Sequence, residues 1–338
     1  MTLKIWLPAQ RASSGADVFT NRLADGLRHG GADAQVSWIH PLYEFVPELI
    51  PVRPPPGAQI VHANTWNGFA FAKAGLPLVL SSLHSVMDPD WLRRCSPAQR
   101  LYYRFRIHPL EARSFRAAAA VSAISEHTRR IVEPLYGLRE VRVIYPWVDT
   151  GTFAPAPGTE RAPGPFRLLF VGNLIRRKGA DLLPEILRRL GPDFELAFTG
   201  GLRGPAAYGT LPANMIHAGR IAGEAGMAAL YNRCDALLFP TRLEGFGYAP
   251  VEAQACGKPV VATNISSIPE VVRDGVTGLL CPVDDVDAFV AACRRLAGDA
   301  ALYRRLAAAA RQHVLDHFTR ERSVNAHLEW YREVLARR

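Results

Sequence analysis

Residues 241–263, TRLEGFGYAPVEAQACGKPVVAT, leave the chain few ways to fold. The apolar run before them, Ala236–Phe239, reads as a buried strand that stops at Pro240. Gly245 and Gly247 then make a short loop. Pro250 suits the first turn of a helix, where its missing N–H costs nothing. That helix is expected over Ala249–Ala255, with Gly257 as its stop and Pro259 just beyond. Val260–Thr263 reads as the next strand. Strand, glycine loop, helix and strand in that order are the repeating unit of an α/β fold.

The same stretch carries chemistry. Glu244 and Glu252 stand eight residues apart, one on the loop and one on the helix. Gly245 and Gly247 carry no Cβ, so backbone can come close to a ligand. A helix N-terminus presents free N–H groups and about half a positive charge, which favours an anion such as a phosphate. Carboxylates sit poorly in an anion site. They are better explained as acceptors for sugar hydroxyls on either side of it. An acid on a hexose, a diphosphate over the loop and an acid on a ribose together describe a nucleotide sugar.

With these residues in place, the chain resembles the retaining glycosyltransferases of family 4, whose signature is E-x7-E. The resemblance implies the GT-B fold, two doubly wound Rossmann-like domains facing each other across a cleft. It implies that Glu244 contacts the donor sugar, that the loop Gly245, Phe246 and Gly247 contacts the diphosphate, and that Glu252 holds the ribose. The competing reading is a pair of helix-flanking carboxylates with packing glycines. By the same resemblance the reaction is front-face transfer with retention, needing neither metal nor cofactor. Its partners are a nucleotide-sugar donor and a sugar or lipid-linked sugar acceptor, in cell-surface polysaccharide or glycolipid synthesis.

Other positions follow the family pattern less evenly. Arg167–Val171 reads as a strand, followed by GNLIRRKGADLL and a helix through Leu190. Lys178, just before Gly179 and near the helix start, could neutralise a diphosphate without metal. Asn173 occupies the place where the family usually has arginine, so Arg177 or Arg176 is the expected substitute. Ile221, in Gly219-Arg220-Ile221, falls in the segment that resembles the base-receiving one. In the first half, a strand at Leu3–Leu7 leads through a small-residue loop into a helix ending near Arg28. Ser13, Ser14 and Gly15 precede that helix; the resemblance places acceptor or phosphate contacts at Gly15, and a tight turn is the rival reading. His84 directly follows the strand Leu78–Leu83, where α/β sheets bind ligands, and the family has a histidine there near the anomeric centre. A structurally satisfied histidine is the alternative. His62 and Asn64 are weaker candidates of the same kind, and Pro146-Trp147-Val148-Asp149 departs from the family's Asn-Gly-Val-Asp.

Length and composition set the remaining bounds. The 338 residues suggest two domains, 1–153 on the acceptor side and 166–320 for the nucleotide sugar, joined by the proline-rich linker 154–165. A closing helix over 321–338 is expected to pack back toward the first domain. Net charge is +9, and Trp91–Arg116 alone holds seven arginines among aromatic residues. Such a segment reads either as a basic amphipathic helix for an anionic membrane surface or as a solvated helix with its aromatics in the core. Asp88-Pro89-Asp90 reads as a turn rather than a metal motif. The five cysteines lack zinc spacing and read as buried thiols of a cytoplasmic protein, at most peripheral on the membrane's inner face. A sugar-nucleotide epimerase of the same architecture, a phosphorylase with pyridoxal phosphate and a basic nucleic-acid-binding protein are the alternatives; no nucleic-acid motif is present, so none is expected as a partner.

Overall fold

The computed structural model describes residues 2–11, 15–157, 163–200 and 211–337. Ser13, Ser14, the middle of the proline-rich linker and Gly201 lie outside the described residues. The chain divides into two units, Met1–Trp147 with Arg320–Arg338, and Val148–Thr319.

In unit 1, β1 (Lys4–Gln10) is followed by α1 (Gly15–His29), β2 (Asp33–Ile39), β3 (Ile60–Asn64) and β4 (Leu78–Ser82). Then come α2 (Pro89–Leu92), α3 (Pro97–Tyr102), α4 (His108–Ala117), β5 (Ala120–Ala123), α5 (Glu126–Tyr136) and β6 (Val141–Val143). The sheet is wholly parallel, in the order β2-β1-β3-β4-β5-β6. Its middle strands are short apolar runs because both faces are covered; every residue of β4 is buried. Trp6, Val61, Phe71, Leu80 and Phe115 form the core on one side.

Unit 2 repeats the pattern. Its elements are β7 (Phe166–Phe170), α6 (Leu183–Leu190), β8 (Phe194–Phe198), β9 (Met215–His217), α7 (Gly223–Arg233) and β10 (Ala236–Phe239). These are followed by α8 (Tyr248–Ala255), β11 (Val260–Thr263), α9 (Ile268–Val271), β12 (Gly278–Cys281), α10 (Val286–Gly298) and α11 (Ala300–His317). The parallel order is β12-β11-β10-β7-β8-β9, the Rossmann arrangement, packed on Phe166, Phe170, Leu187, Phe198, Leu238 and Phe289. The expected strand–loop–helix–strand over 236–263 is present, with α8 starting one residue early.

The last helix, α12 (Arg320–Ala336), belongs to unit 1. The Tyr331 hydroxyl bonds Nδ1 of His62 at 2.5 Å, and Nε2 of His62 meets Ser81 Oγ at 2.7 Å. Ser81 continues to Ser122 Oγ at 2.7 Å, so one buried polar chain ties α12 to three strands. Burial holds the His62 imidazole well below its ordinary pKa, and His327 nearby adds to the effect.

One expectation is corrected. Trp91–Arg116 is not one helix: the helical run breaks between Leu92 and Ser96, Ser96 caps α3 through a reciprocal box with Gln99, and from Pro97 a π-helical stretch, Tyr103–Ile107, carries α3 on into α4 without a break. Elsewhere in unit 1, Gly68–Ala74 is a 3₁₀ stretch closed by left-handed Gly75. Lys178 lies in the 3₁₀ turn Arg176–Lys178, shortly ahead of α6. All five cysteines are buried and unpaired with one another. Among the described residues, no helix is long and apolar enough to cross a membrane.

Candidate functional site

Parallel α/β sheets offer a crevice where strand order reverses, beyond the carboxyl ends of the strands. In unit 2 that point lies between β7 and β10. The loop after β7 carries Arg177 and Lys178, and the loop after β10 carries Glu244. They meet: Lys178 Nζ donates to Glu244 Oε1 in a close ion pair. Thr241 Oγ1 donates to the same oxygen at 3.0 Å, so none of these bonds falls on Oε2.

Backbone constraints hold the two loops together. Gly179 has φ +71, and a Cβ there would fall 1.8 Å from the Pro240 carbonyl oxygen. Arg242 N–H donates to Arg177 O at 2.8 Å, while Arg177 Nη1 donates to Leu243 O at 3.1 Å. Ser266 Oγ accepts from Glu244 N–H at 3.0 Å, and Ser267 Oγ donates to Glu244 O at 3.2 Å. Gly247 takes the left-handed conformation, φ 97°, as the N-cap of α8, and no side chain caps that helix. Only glycine enters that conformation cheaply.

The electrostatics follow from burial. Desolvation alone would raise the Glu244 carboxyl, but Lys178, Arg177 and the Lys178 and Thr241 hydrogen bonds outweigh it and hold it below the ordinary range. Lys178 is pulled below its usual value by burial; Glu244 opposes this only in part, and Arg177 reinforces it. Glu244 is thus favoured as the carboxylate, with Lys178 Nζ set against it. An ammonium has three donors, which lets it keep Glu244 and bind a second acceptor.

The other expected residues fall as follows. Glu252, 8% exposed on α8, accepts from the Tyr231 hydroxyl of α7 at 3.0 Å. Gly245 is buried. The Phe246 ring packs edge-on against Tyr248 and Phe318, so the residue offers the loop its main chain rather than its ring. Ile221 is half-buried just before α7. In unit 1 the strand order reverses between β1 and β3. A small pocket lies there, lined by Gln10, Ala16, Thr20, His62 and Asn64 among others. Gly15 opens α1 beside it, and a Cβ there would meet nothing within 4 Å. His84 stands half-buried just past β4. His62 has both ring nitrogens engaged and is a structural residue.

Asp88 is structural as well. Its Oδ1 caps α2 by accepting from Asp90 N–H at 2.8 Å, and its Oδ2 meets His127 Nε2 at 2.6 Å. Asp149 closes a turn, accepting from Gly151 N–H and the Thr152 hydroxyl. Sequence reasoning missed Arg242, which is 5% exposed between two acids and a carbonyl. The local sequence, Thr-Arg-Leu-Glu-Gly-Phe-Gly, carries no mark of that burial.

Two wholly parallel doubly wound sheets, the second with a buried acid–lysine pair at its reversal point, define a two-unit Rossmann-like α/β protein. Residues 14–152 match the profile described as Glycosyltransferase Family 4, and residues 157–313 match that of Glycosyl transferases group 1. The chain belongs to the family 4 glycosyltransferases. It is 31% identical over 278 residues to glycogen synthase of Mycobacterium tuberculosis, covering 77% of this chain and 65% of that protein. It is 34% identical over 170 residues to D-inositol 3-phosphate glycosyltransferase of Mycolicibacterium gilvum, covering 44% of this chain and 37% of the relative. The chain thus spans less than two thirds of these relatives' length. Among solved structures, sucrose-phosphate synthase from Thermosynechococcus elongatus superposes with a TM-score of 0.83 at 18% identity, covering 99% of this chain and all of that one. HepE of Anabaena in complex with UDP and glucose gives 0.75 at 21% identity, covering 98% of this chain and 100% of that one. At these identities the likeness is one of fold.

Proposed function

We propose that the chain is a retaining glycosyltransferase that moves a sugar from a nucleoside-diphosphate sugar to an acceptor hydroxyl without a metal ion. The observation that carries this reading is the Lys178–Glu244 pair, set where β7 and β10 diverge and followed by the uncapped N-terminus of α8. The diphosphate sits against the α8 N–H groups and the Lys178 ammonium, with Arg177 adding positive potential. Glu244 Oε2 accepts a hydroxyl of the donor sugar, and Glu252 accepts from the ribose. Main chain around Ile221 receives the base, and Gly245, Phe246 and Gly247 line the diphosphate with backbone.

As the bond from the anomeric carbon to phosphate oxygen breaks, charge grows on the phosphate and Lys178 stabilises it. The acceptor oxygen bonds to the anomeric carbon on the same face, and its proton passes to the departing phosphate. The protein contributes position and charge rather than a covalent intermediate. His84 lines the anomeric region and Gly15 the acceptor side. That acceptor is a sugar or a lipid-linked sugar, used in cell-surface polysaccharide or glycolipid synthesis at the inner face of the membrane. Support for a nucleotide-sugar donor comes from the fold neighbour solved with UDP and glucose.

The test is a thermal-shift panel of UDP, GDP and ADP with their sugars, with and without EDTA. Binding raises apparent stability by mass action, so one nucleotide series stands out and EDTA leaves it unchanged. No shift with any of them overturns the reading. Product anomer analysis with the selected donor then checks retention.

A further inference from the structure

Among the described residues, eleven large apolar side chains stand exposed, and seven of them lie in two segments of unit 1. Leu42, Phe45, Val46 and Leu49 form one group; Leu101, Tyr102 and Phe105 form the other. Phe45 and Phe105 are 66% and 68% exposed, which is far from core packing. The segments adjoin: Arg106 Nη2 donates to Phe45 O at 2.5 Å, and Arg113 pairs with Glu48 at 2.5 Å. Single exposed hydrophobics need no explanation, but a cluster marks an interaction surface.

Local structure keeps these side chains outward. Pro41 and Pro47 start two short 3₁₀ turns, which give the first segment no helical face to bury. In the second, the π-turn Tyr103–Ile107 turns Ile107 inward, 2% exposed, while Leu101 and Phe105, four residues apart, stay out. The charge around them is one-sided. No acid occurs between Asp90 and Glu111, a stretch that holds Arg93, Arg94, Arg100, Arg104 and Arg106. Arg100 and Arg104 are exposed. Of the acids in the first segment, Glu48 is occupied by Arg113 and only Glu44 stands against the trend.

We propose that this two-segment face docks on the surface of an anionic phospholipid bilayer. Phe45, Leu49, Leu101 and Phe105 enter the headgroup region, and Arg100 and Arg104 meet lipid phosphates. The proposal deepens, and rests on, the reading of an acceptor used at a membrane, but it uses no residue of the donor site. A second copy of the chain is a poorer occupant, because a symmetric contact would set like-charged arginines against each other.

The test is co-sedimentation of the full chain with vesicles of phosphatidylcholine, neat or with phosphatidylglycerol making up about a third of the lipid. The chain sediments with the anionic vesicles alone and is released by high salt. Arg100→Glu with Arg104→Glu lowers the bound fraction at least about tenfold, and so does Phe45→Ser with Phe105→Ser. Both variants keep the wild-type melting temperature and the nucleotide-induced shift, so loss of lipid binding is distinguishable from loss of the donor site. The proposal is overturned if wild type stays in the supernatant, if it binds neutral vesicles equally, or if both variants bind like wild type. It is also overturned if the serine variant abolishes self-association while vesicle binding is untouched.

Discussion

Arg242 forks onto Asp181, with Nη1 at 2.7 Å and Nη2 at 2.9 Å from its two carboxylate oxygens. Its Nε reaches Asp284 Oδ1 at 2.6 Å, and Nη1 also donates to Arg176 O. One buried guanidinium thus joins the loop that carries Lys178 to the loop that carries Glu244. Removing it or its acids has unequal consequences. Arg242→Ala frees two acids that are already 36% and 44% exposed and can hydrate, for a loss of about 1–3 kcal/mol. Asp181→Ala with Asp284→Ala strands a buried cation and costs about 3–5 kcal/mol. Urea unfolding of the two variants measures the difference; equal losses would show that the clamp does not work this way.

Glu244→Ala and Lys178→Ala are each expected to cut kcat/KM by about 10²–10³ with the donor chosen by thermal shift. Since each residue neutralises the other, the double variant loses much less than the product of the two. Steady-state kinetics on the four proteins decides, and full additivity would mean the two act separately.

Two glycines separate packing from ligand contact. Gly179→Ala drives a Cβ into the Pro240 carbonyl at positive φ, and a loss of about 2–4 kcal/mol is expected. Gly15→Ala meets open space, so stability changes by no more than about 0.5 kcal/mol. If Gly15→Ala nevertheless raises the acceptor KM at unchanged melting temperature, the residue touches substrate; unchanged kinetics would leave it a helix start and no more.

Acid should weaken unit 1 through His327. Burial holds this ring at about 4, with only Ser323 O bonded to Nδ1, against an ordinary value of 6.5. Its folded pKa is lowered, so between those values the unfolded chain binds more protons and stability rises with pH. Acidification from neutral to about pH 4 is expected to cost on the order of 3 kcal/mol through this group. Glu111, pushed up by burial, works in the opposite direction above the carboxylate range. Comparing unfolding of wild type and His327→Gln at several pH values isolates the histidine. The variant's curve should be flatter; parallel curves would refute the assignment.

Legibility in the sequence followed the range of the interactions. The β10–α8–β11 crossover was readable because glycines and prolines bound each of its elements, and those signals are local. Ser96-Pro97 was an equally local stop signal inside 91–116, but the density of arginines and aromatics outweighed it in the reading. The Arg242 clamp was out of reach because its acids lie 61 and 42 residues away. So was the partner of His62, a tyrosine 269 residues further on. The Lys178–Glu244 contact lay between: both residues were picked out, but not that each would satisfy the other.

The placement of α12 in unit 1 sets an order of events during synthesis. The first 147 residues leave the ribosome with His62 still lacking Tyr331, and every residue of unit 2 is made before that tyrosine is supplied. Unit 2 is contiguous and can mature as it emerges, while the earlier-made half waits, unfinished, for a helix translated after it. Nascent chains halted before Arg320 should therefore expose to chaperones and proteases the half that was born first.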